Sequence, residues 1–136
     1  IKACEKIDNI TEKEALIKAR LGRGQFRRDV EILEPICRVT GLDKKEFLIA
    51  SHIKSWKESN NHERLDGSNG LLLSPHVDKL FDRHWISFTK DGKLIWKSEK
   101  VKLTLEKWGI KECKILKPLS PKQESYMNYH RKLLKD

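Results

Sequence analysis

The 136-residue chain lacks the features of membrane-spanning and disulfide-rich proteins. No apolar run approaches the roughly 18 residues that a bilayer-spanning helix needs, and no basic-then-apolar N-terminal segment indicates a signal peptide. Its three cysteines, Cys4, Cys37 and Cys113, are odd in number and far apart, so they predict neither a disulfide framework nor a Cys-x-x-Cys zinc site. We therefore expect a soluble cytoplasmic protein with buried or idle thiols and no structural zinc.

Acidic residues are scarce relative to basic ones. The chain holds 29 Lys and Arg against 20 Asp and Glu, which gives a formal net charge of +9. This balance favours a polyanionic partner, either nucleic acid or an acidic membrane surface, although a solvated basic surface gives the same count. The length suits one domain with a single modest core. Because the chain opens on Ile1 rather than Met, we expect a fragment or a processed product.

Residues 1–35 are predicted to form two supporting helices. Thr11, with Glu14 three residues on, matches a capping box, and the amphipathic stretch after it ends near Gly22. A second helix follows and is closed by Pro35. Its entrance is crowded by four arginines: Arg20, Arg23, Arg27 and Arg28. The net charge favours contacts with phosphate through these side chains over simple solvation.

Residues 36–84 are predicted to form a compact strand–loop–strand–helix unit. Short runs rich in β-branched and apolar residues predict strands at 36–40, 47–53 and 71–73. The polar residues 54–68 carry turn signals and predict a loop. Ser74 then supplies a helix N-cap and Pro75 a first-turn proline, so a helix is expected to run to about Asp82.

Residues 85–136 are predicted to form a hairpin and a terminal helix. Apolar residues alternate on both sides of Asp91-Gly92, which is typical of a tight β-turn. Residues 101–108 fit a strand and a helix equally well. Ser120 and Pro121 open the last helix. Three residues are predicted to share one face of it: Tyr126, Tyr129 and Leu133.

The central unit carries side chains that suit phosphodiester hydrolysis, which needs a base, a cation and a positively charged approach. His52, near the end of a predicted strand, suits the base because its unperturbed pKa of about 6.5 is close to working pH. Asn69 could tether the loop and orient the histidine. Asp78 and Asp82 lie at i and i+4 on one helix face, where both can reach a single ion. We therefore hypothesise a metal-dependent nuclease.

Five motifs occur in an ordered set: RLGRGQFRR at 20–28, CRVTG at 37–41, ASHIKSW at 50–56, NGLLLSPHVDKLFD at 69–82 and ISF at 86–88. In this order the sequence resembles the HNH nucleases with a ββα-metal core, and especially their restriction and McrA-like branch. With the closing YxxYHR helix, the resemblance spans most of residues 20–134. It implies an α+β fold and a prokaryotic, intracellular restriction or defence enzyme that cleaves DNA phosphodiesters, with no membrane partner.

The resemblance also implies roles for single residues. His52 is similar to the family's general base, and Asn69 to the asparagine that holds the loop. Counting nine residues from Asn69 gives Asp78 rather than a histidine, while Ser51 stands where most members have a metal-binding aspartate before the base. Oxygen ligands from Asp78 and Asp82 suit Mg²⁺ or Mn²⁺ better than zinc. His76 is the competing ligand.

Several alternatives stay open. His52 could be a satisfied histidine at a strand end, and Asn69 could serve turn chemistry alone. Further DNA contacts, by phosphate binding or stacking, are predicted for three residues: Lys54, Trp56 and Arg64. The remaining histidines are predicted on the surface: His62, His84 and His130. Two other hypotheses for the function are a catalytically decayed DNA-binding module and the effector part of a larger protein with a missing DNA-recognition domain. A homodimer also stays open, although no self-complementary heptad argues for one.

Overall fold

The computed structural model describes residues 11–136, and its first element is a long helix, α1 (Glu12–Leu33). The Thr11 capping box with Glu14 is confirmed, since both of its hydrogen bonds form. The predicted break near Gly22 is wrong, because the helix runs through it and on to bury Phe26 and Val30. A Cβ at Gly22 would lie 3.2 Å from the Leu65 side chain, so the glycine allows a close approach rather than a helix end.

The central sheet is an antiparallel pair, β1 (Ile49–His52) and β2 (Gly70–Leu73). Its register sets Ile49 opposite Leu73 and His52 opposite Gly70. The predicted strand at 36–40 is wrong: a turn forms instead, in which Gly41 N–H donates to the Cys37 carbonyl at 2.8 Å and Gly41 takes a φ of 78°. Glycine is the residue that tolerates that backbone conformation.

The predicted loop 54–68 contains more structure than expected. It holds a short helix, α2 (Asn61–Leu65), and leads into a 3₁₀ turn at Gly67–Asn69. Asn60 and Glu63 form a capping box at the start of α2, so the signal for this helix was present in the sequence. Helix α3 (Pro75–Asp82) follows β2 as predicted, with Val77 and Phe81 buried. Ser74 occupies the N-cap position, but its hydroxyl lies 2.7 Å from the Thr40 hydroxyl and makes no capping bond to the helix.

The C-terminal part begins with the predicted hairpin, β3 (Ser87–Phe88) paired with β4 (Leu94–Ile95). The segment left open between strand and helix is helix α4 (Glu99–Lys107). The last helix, α5 (Pro121–Arg131), starts at the predicted place with a Ser120–Gln123 capping box. Tyr126 and Tyr129 are half-buried on this helix, whereas Leu133 lies beyond its end and is 46% exposed. The residues that α5 buries are Gln123, Met127 and His130.

One continuous core joins α1, the β1–β2 sheet, α3, β3 and α5. Cys37 and Cys113 are both buried within it, and burial raises the pKa of the Cys113 thiol to about 11, which keeps it protonated. Cys4 lies outside the described residues. None of the helices in residues 11–136 combines the length and apolar content that crossing a bilayer requires.

His130 is buried, which corrects the surface prediction. The Ser87 hydroxyl lies 2.9 Å from His130 Nδ1, and His130 Nε2–H donates to the Phe81 carbonyl at 2.8 Å. Burial lowers the pKa of His130 to about 4, well below its ordinary value. His84, also predicted on the surface, is half-buried and stacks on this ring with centroids 4.4 Å apart.

The His130 site predicts a loss of stability in acid. The unfolded chain takes up a proton near pH 6.5 while the folded site resists it until about pH 4, so stability present above pH 6.5 is lost as the pH falls through that window. The loss is about 3 kcal/mol from this group. Urea unfolding at pH 7.5, 6 and 4.5 measures it. His130→Gln should weaken that pH dependence, and an unchanged dependence in the variant would contradict the prediction.

Candidate active site

His52 lies at the end of β1, where its ring is held between aromatic side chains. It stacks on Phe26 of α1, with ring centroids 3.7 Å apart and planes within 5°, while Trp56 meets it edge-on at 5.9 Å. The cross-strand partner, Gly70, makes this possible, because a Cβ there would lie 2.7 Å from the Phe26 ring and 2.6 Å from Val30. The ring therefore has a fixed plane and a fixed orientation.

The hydrogen bonding of His52 defines its tautomer. Nε2 lies 2.9 Å from the Arg64 carbonyl oxygen, which can only accept, so Nε2 carries the proton and the neutral ring has its lone pair on Nδ1. Burial lowers the pKa of His52, and the Arg64 guanidinium adds to this, while the bond to the Arg64 backbone acts in the opposite direction. His52 is therefore neutral at neutral pH and can take a proton at Nδ1.

Asn69 is fully buried at the end of the 3₁₀ turn, and its side chain joins two parts of the loop. Its Oδ1 accepts from Lys54 N–H at 2.8 Å, and its Nδ2 donates to the carbonyls of Lys54 at 3.2 Å and Glu63 at 3.0 Å. Lys54 follows His52 by two residues, and Glu63 immediately precedes the Arg64 carbonyl. Asn69 thus fixes both segments that orient His52.

The acid that sequence spacing selects, Asp78, lies on α3 and binds the residue next to His52. The Ser51 hydroxyl donates a hydrogen bond to Asp78 Oδ1, and Ser51 is itself buried. Burial raises the pKa of Asp78 and nearby Asp82 raises it further, while the Ser51 bond lowers it. Asp82 is exposed at the end of α3. A cation bound between Asp78 and Asp82 would stabilise the charged form of both carboxylates.

The third candidate ligand, His76, contacts Trp108 edge-on with ring centroids 4.8 Å apart. Throughout residues 11–136, no group of three or more His, Cys, Asp and Glu side chains is arranged to hold a metal ion. Two carboxylates nevertheless fit Mg²⁺ or Mn²⁺, because such ions commonly bind through one or two carboxylates and take other ligands from water and phosphate.

Two of the predicted DNA contacts, Arg23 and Arg64, lie over the indole of Trp56. Their guanidinium carbons are 5.8 and 4.6 Å from the centroid of its ring. Arg23 and Trp56 line, with His52, a cleft of about 400 Å³ between α1 and β1. Positive charge and an aromatic surface therefore adjoin the histidine.

Of the other predicted DNA contacts, Arg27 and Lys54 bind other parts of this chain, whereas Arg28 is exposed. Arg27 pairs with Glu31 and donates to the carbonyls of Leu48 and Lys45, which anchors the segment before β1 to α1. Lys54 Nζ lies 3.1 Å from both carboxylate oxygens of Glu63. Arg28 is exposed on α1.

Three parts of the site were not found from the sequence. The Arg64 carbonyl that orients His52 is a backbone atom, so residue identity carries no signal for it. Phe26 was noted only within the RLGRGQFRR motif, and its contact with His52 depends on tertiary packing. Ser51 was treated as a missing ligand rather than as the hydrogen-bond partner of Asp78.

Residues 37–89 match a family model described as HNH endonuclease. The match begins before β1 and ends after β3, and it therefore includes His52, Asn69 and Asp78. Among curated proteins, no significant match is found.

Proposed function

We propose that the chain is a nuclease that cleaves DNA with the aid of a divalent cation in a restriction or defence role, because residues 37–89 match the model described as HNH endonuclease. One observation carries the proposal: a neutral His52 has its Nε2–H bound to a carbonyl and its lone pair on Nδ1. A histidine fixed in this state is suited to deprotonating water. The restriction role rests on the resemblance of the motifs to that branch of the family.

In the proposed mechanism, His52 Nδ1 takes a proton from a water molecule as the water oxygen attacks phosphorus. The new P–O bond forms as the bond to the leaving oxygen breaks, in line with the attack. The imidazolium that results is stabilised by the Nε2–H bond to the Arg64 carbonyl. Asn69 keeps that carbonyl and the backbone after His52 in place through its three hydrogen bonds.

The proposed cation site consists of Asp78 and Asp82. A divalent ion held by these two carboxylates would supply positive charge to stabilise the leaving oxygen. His76 is left out of this site, since it packs against Trp108. Exposed Arg23 and Arg28, with the Arg64–Trp56 pair, are proposed to receive the DNA backbone and stack on its bases.

The proposal is tested by incubating the protein with supercoiled plasmid and with methylated and unmethylated oligonucleotides, each with Mg²⁺, Mn²⁺, Co²⁺, Ni²⁺ or excess EDTA. We expect cleavage with Mg²⁺ or Mn²⁺ and none with EDTA. DNA binding without cleavage under any of the four ions would instead identify a decayed, DNA-binding module. A dependence of double-strand cutting, but not of nicking, on the square of protein concentration would indicate a homodimer.

A further inference from the structure

Helix α5 lies outside the segment that matches the family model, yet it contacts the turn that ends at Asn69. The Tyr126 hydroxyl donates to Asp66 Oδ2 at 2.7 Å, and Asp66 Oδ1 accepts from Ser68 N–H at 2.9 Å. We propose that Tyr126 is a positioning residue, which acts through Asp66 and the 3₁₀ turn to hold Asn69 and thereby orient His52. This inference rests on the proposed function of His52.

The path from Tyr126 to the base consists of hydrogen bonds joined by short stretches of backbone. Asp66 caps the turn through Ser68 N–H, and its carbonyl accepts from Asn69 N–H at 2.9 Å. The Asn69 side chain then binds the backbone of Lys54 and Glu63. The next carbonyl after Glu63, that of Arg64, binds His52 Nε2. Each hydrogen bond involves the backbone or a buried or half-buried side chain, so we expect displacement at one end to move the other.

Tyr126 is suited to this role because α5 is itself firmly attached. Gln123 Nε2 donates to the buried Glu34 carboxylate at 3.2 Å, and Arg131 donates to the Phe88 carbonyl at 2.7 Å. Gly67, in the same turn, packs so closely on α1 that a Cβ would lie 2.7 Å from Asp29 Cβ. The turn is therefore held between α1 and α5, and Tyr126 supplies the α5 contact.

The direction of the Tyr126 bond is also fixed. Burial raises the pKa of Tyr126, as does the adjacent Asp66 carboxylate, so the phenol stays a donor at any pH where the enzyme works. A hydrogen bond from a neutral donor to a carboxylate is stronger than one between neutral groups. Phenylalanine at position 126 would keep the packing and remove only this bond.

The test compares Tyr126→Phe with Tyr129→Phe in the whole chain. Tyr129 lies on the same helix, and its contact with Lys54 Nζ, 5.2 Å away, involves the ring. Tyr129→Phe keeps that ring and removes only a hydroxyl, which makes it a matched control. For Tyr126→Phe we expect a fall in kcat of about tenfold with KM for DNA unchanged, since the residue orients the base without touching the DNA cleft. Tyr129→Phe should cleave as the wild type does. Unchanged kcat in Tyr126→Phe, or an equal fall in both variants, would overturn the proposal.

Two further measurements separate this proposal from the proposed function. Amide hydrogen exchange at Ser68 and Lys54 should accelerate in Tyr126→Phe but not in Tyr129→Phe, and unchanged exchange would overturn the proposal even if the wild type did not cut DNA. In the Asp66→Ala background, Tyr126→Phe should have no additional effect on kcat, because the two residues act through one bond. Additive effects of the two substitutions on kcat would show that Tyr126 and Asp66 act independently, which would overturn the proposal. Should Tyr126→Phe fail to fold, Asp66→Asn carries the same kcat and exchange test.

Discussion

We expect His52→Ala to reduce plasmid nicking by a factor of about 10² to 10⁴, the usual contribution of a general base. The variant loses the only group that the proposed mechanism uses to take the proton of the attacking water. Phe26 and the Arg64 carbonyl would remain in place, but the imidazole ring that they orient would be absent. Initial nicking rates at saturating DNA and cation, measured on the wild type and the variant, give the factor directly.

His62→Ala is the matched control for this prediction, because His62 is exposed on α2 and its side chain is not part of the site. It should cut at the wild-type rate. The far-UV circular dichroism of His52→Ala should be unchanged, and added imidazole should restore part of its activity by occupying the space that the side chain leaves. Undiminished cutting by His52→Ala would remove His52 from the mechanism.

The local elements that the sequence predicted correctly were those with a short-range cause. The Thr11 and Ser120 caps, the Asp91-Gly92 turn and the Ser74-Pro75 helix start each depend on residues within four positions of one another. The errors at Gly22 and at residues 36–40 had the opposite origin. In both cases the local composition predicted one structure, and the observed structure involves a contact with residues distant in sequence. Leu65 packs against Gly22 within the helix. The carbonyls of residues 38 and 39 accept from the backbone N–H groups of residues 115 and 114.

The candidate site divides in the same way. His52, Asn69 and Asp78 could be selected because motif order and spacing restrict them to one strand, one turn and one helix. The groups that orient His52 could not be predicted, since they are the Arg64 backbone carbonyl and the Phe26 ring of α1. The contact of Tyr126 with Asp66 joins residues 60 positions apart and has no local signature.

Asp78→Asn is expected to reduce cleavage by about 100-fold or more, because it removes the negative charge that the proposed cation site needs. The amide keeps the size of the side chain and can still accept from the Ser51 hydroxyl. Without a cation, the variant should be as stable as the wild type or more stable. Burial and Asp82 both act against the charged form of Asp78, as the raised pKa of Asp78 records, and the amide avoids that cost.

Loss of function with retained or increased stability distinguishes a ligand from a structural acid. Millimolar Mn²⁺ should raise the thermal unfolding midpoint of the wild type, since it binds only the folded site, and should have no such effect on Asp78→Asn. Asp82→Asn should reduce cleavage less, because Asp82 is exposed and water can replace it. Ser51→Ala serves as the control for the hydrogen bond and should still cut. Full activity in Asp78→Asn, or an equal response of its unfolding midpoint to Mn²⁺, would require the cation to bind elsewhere.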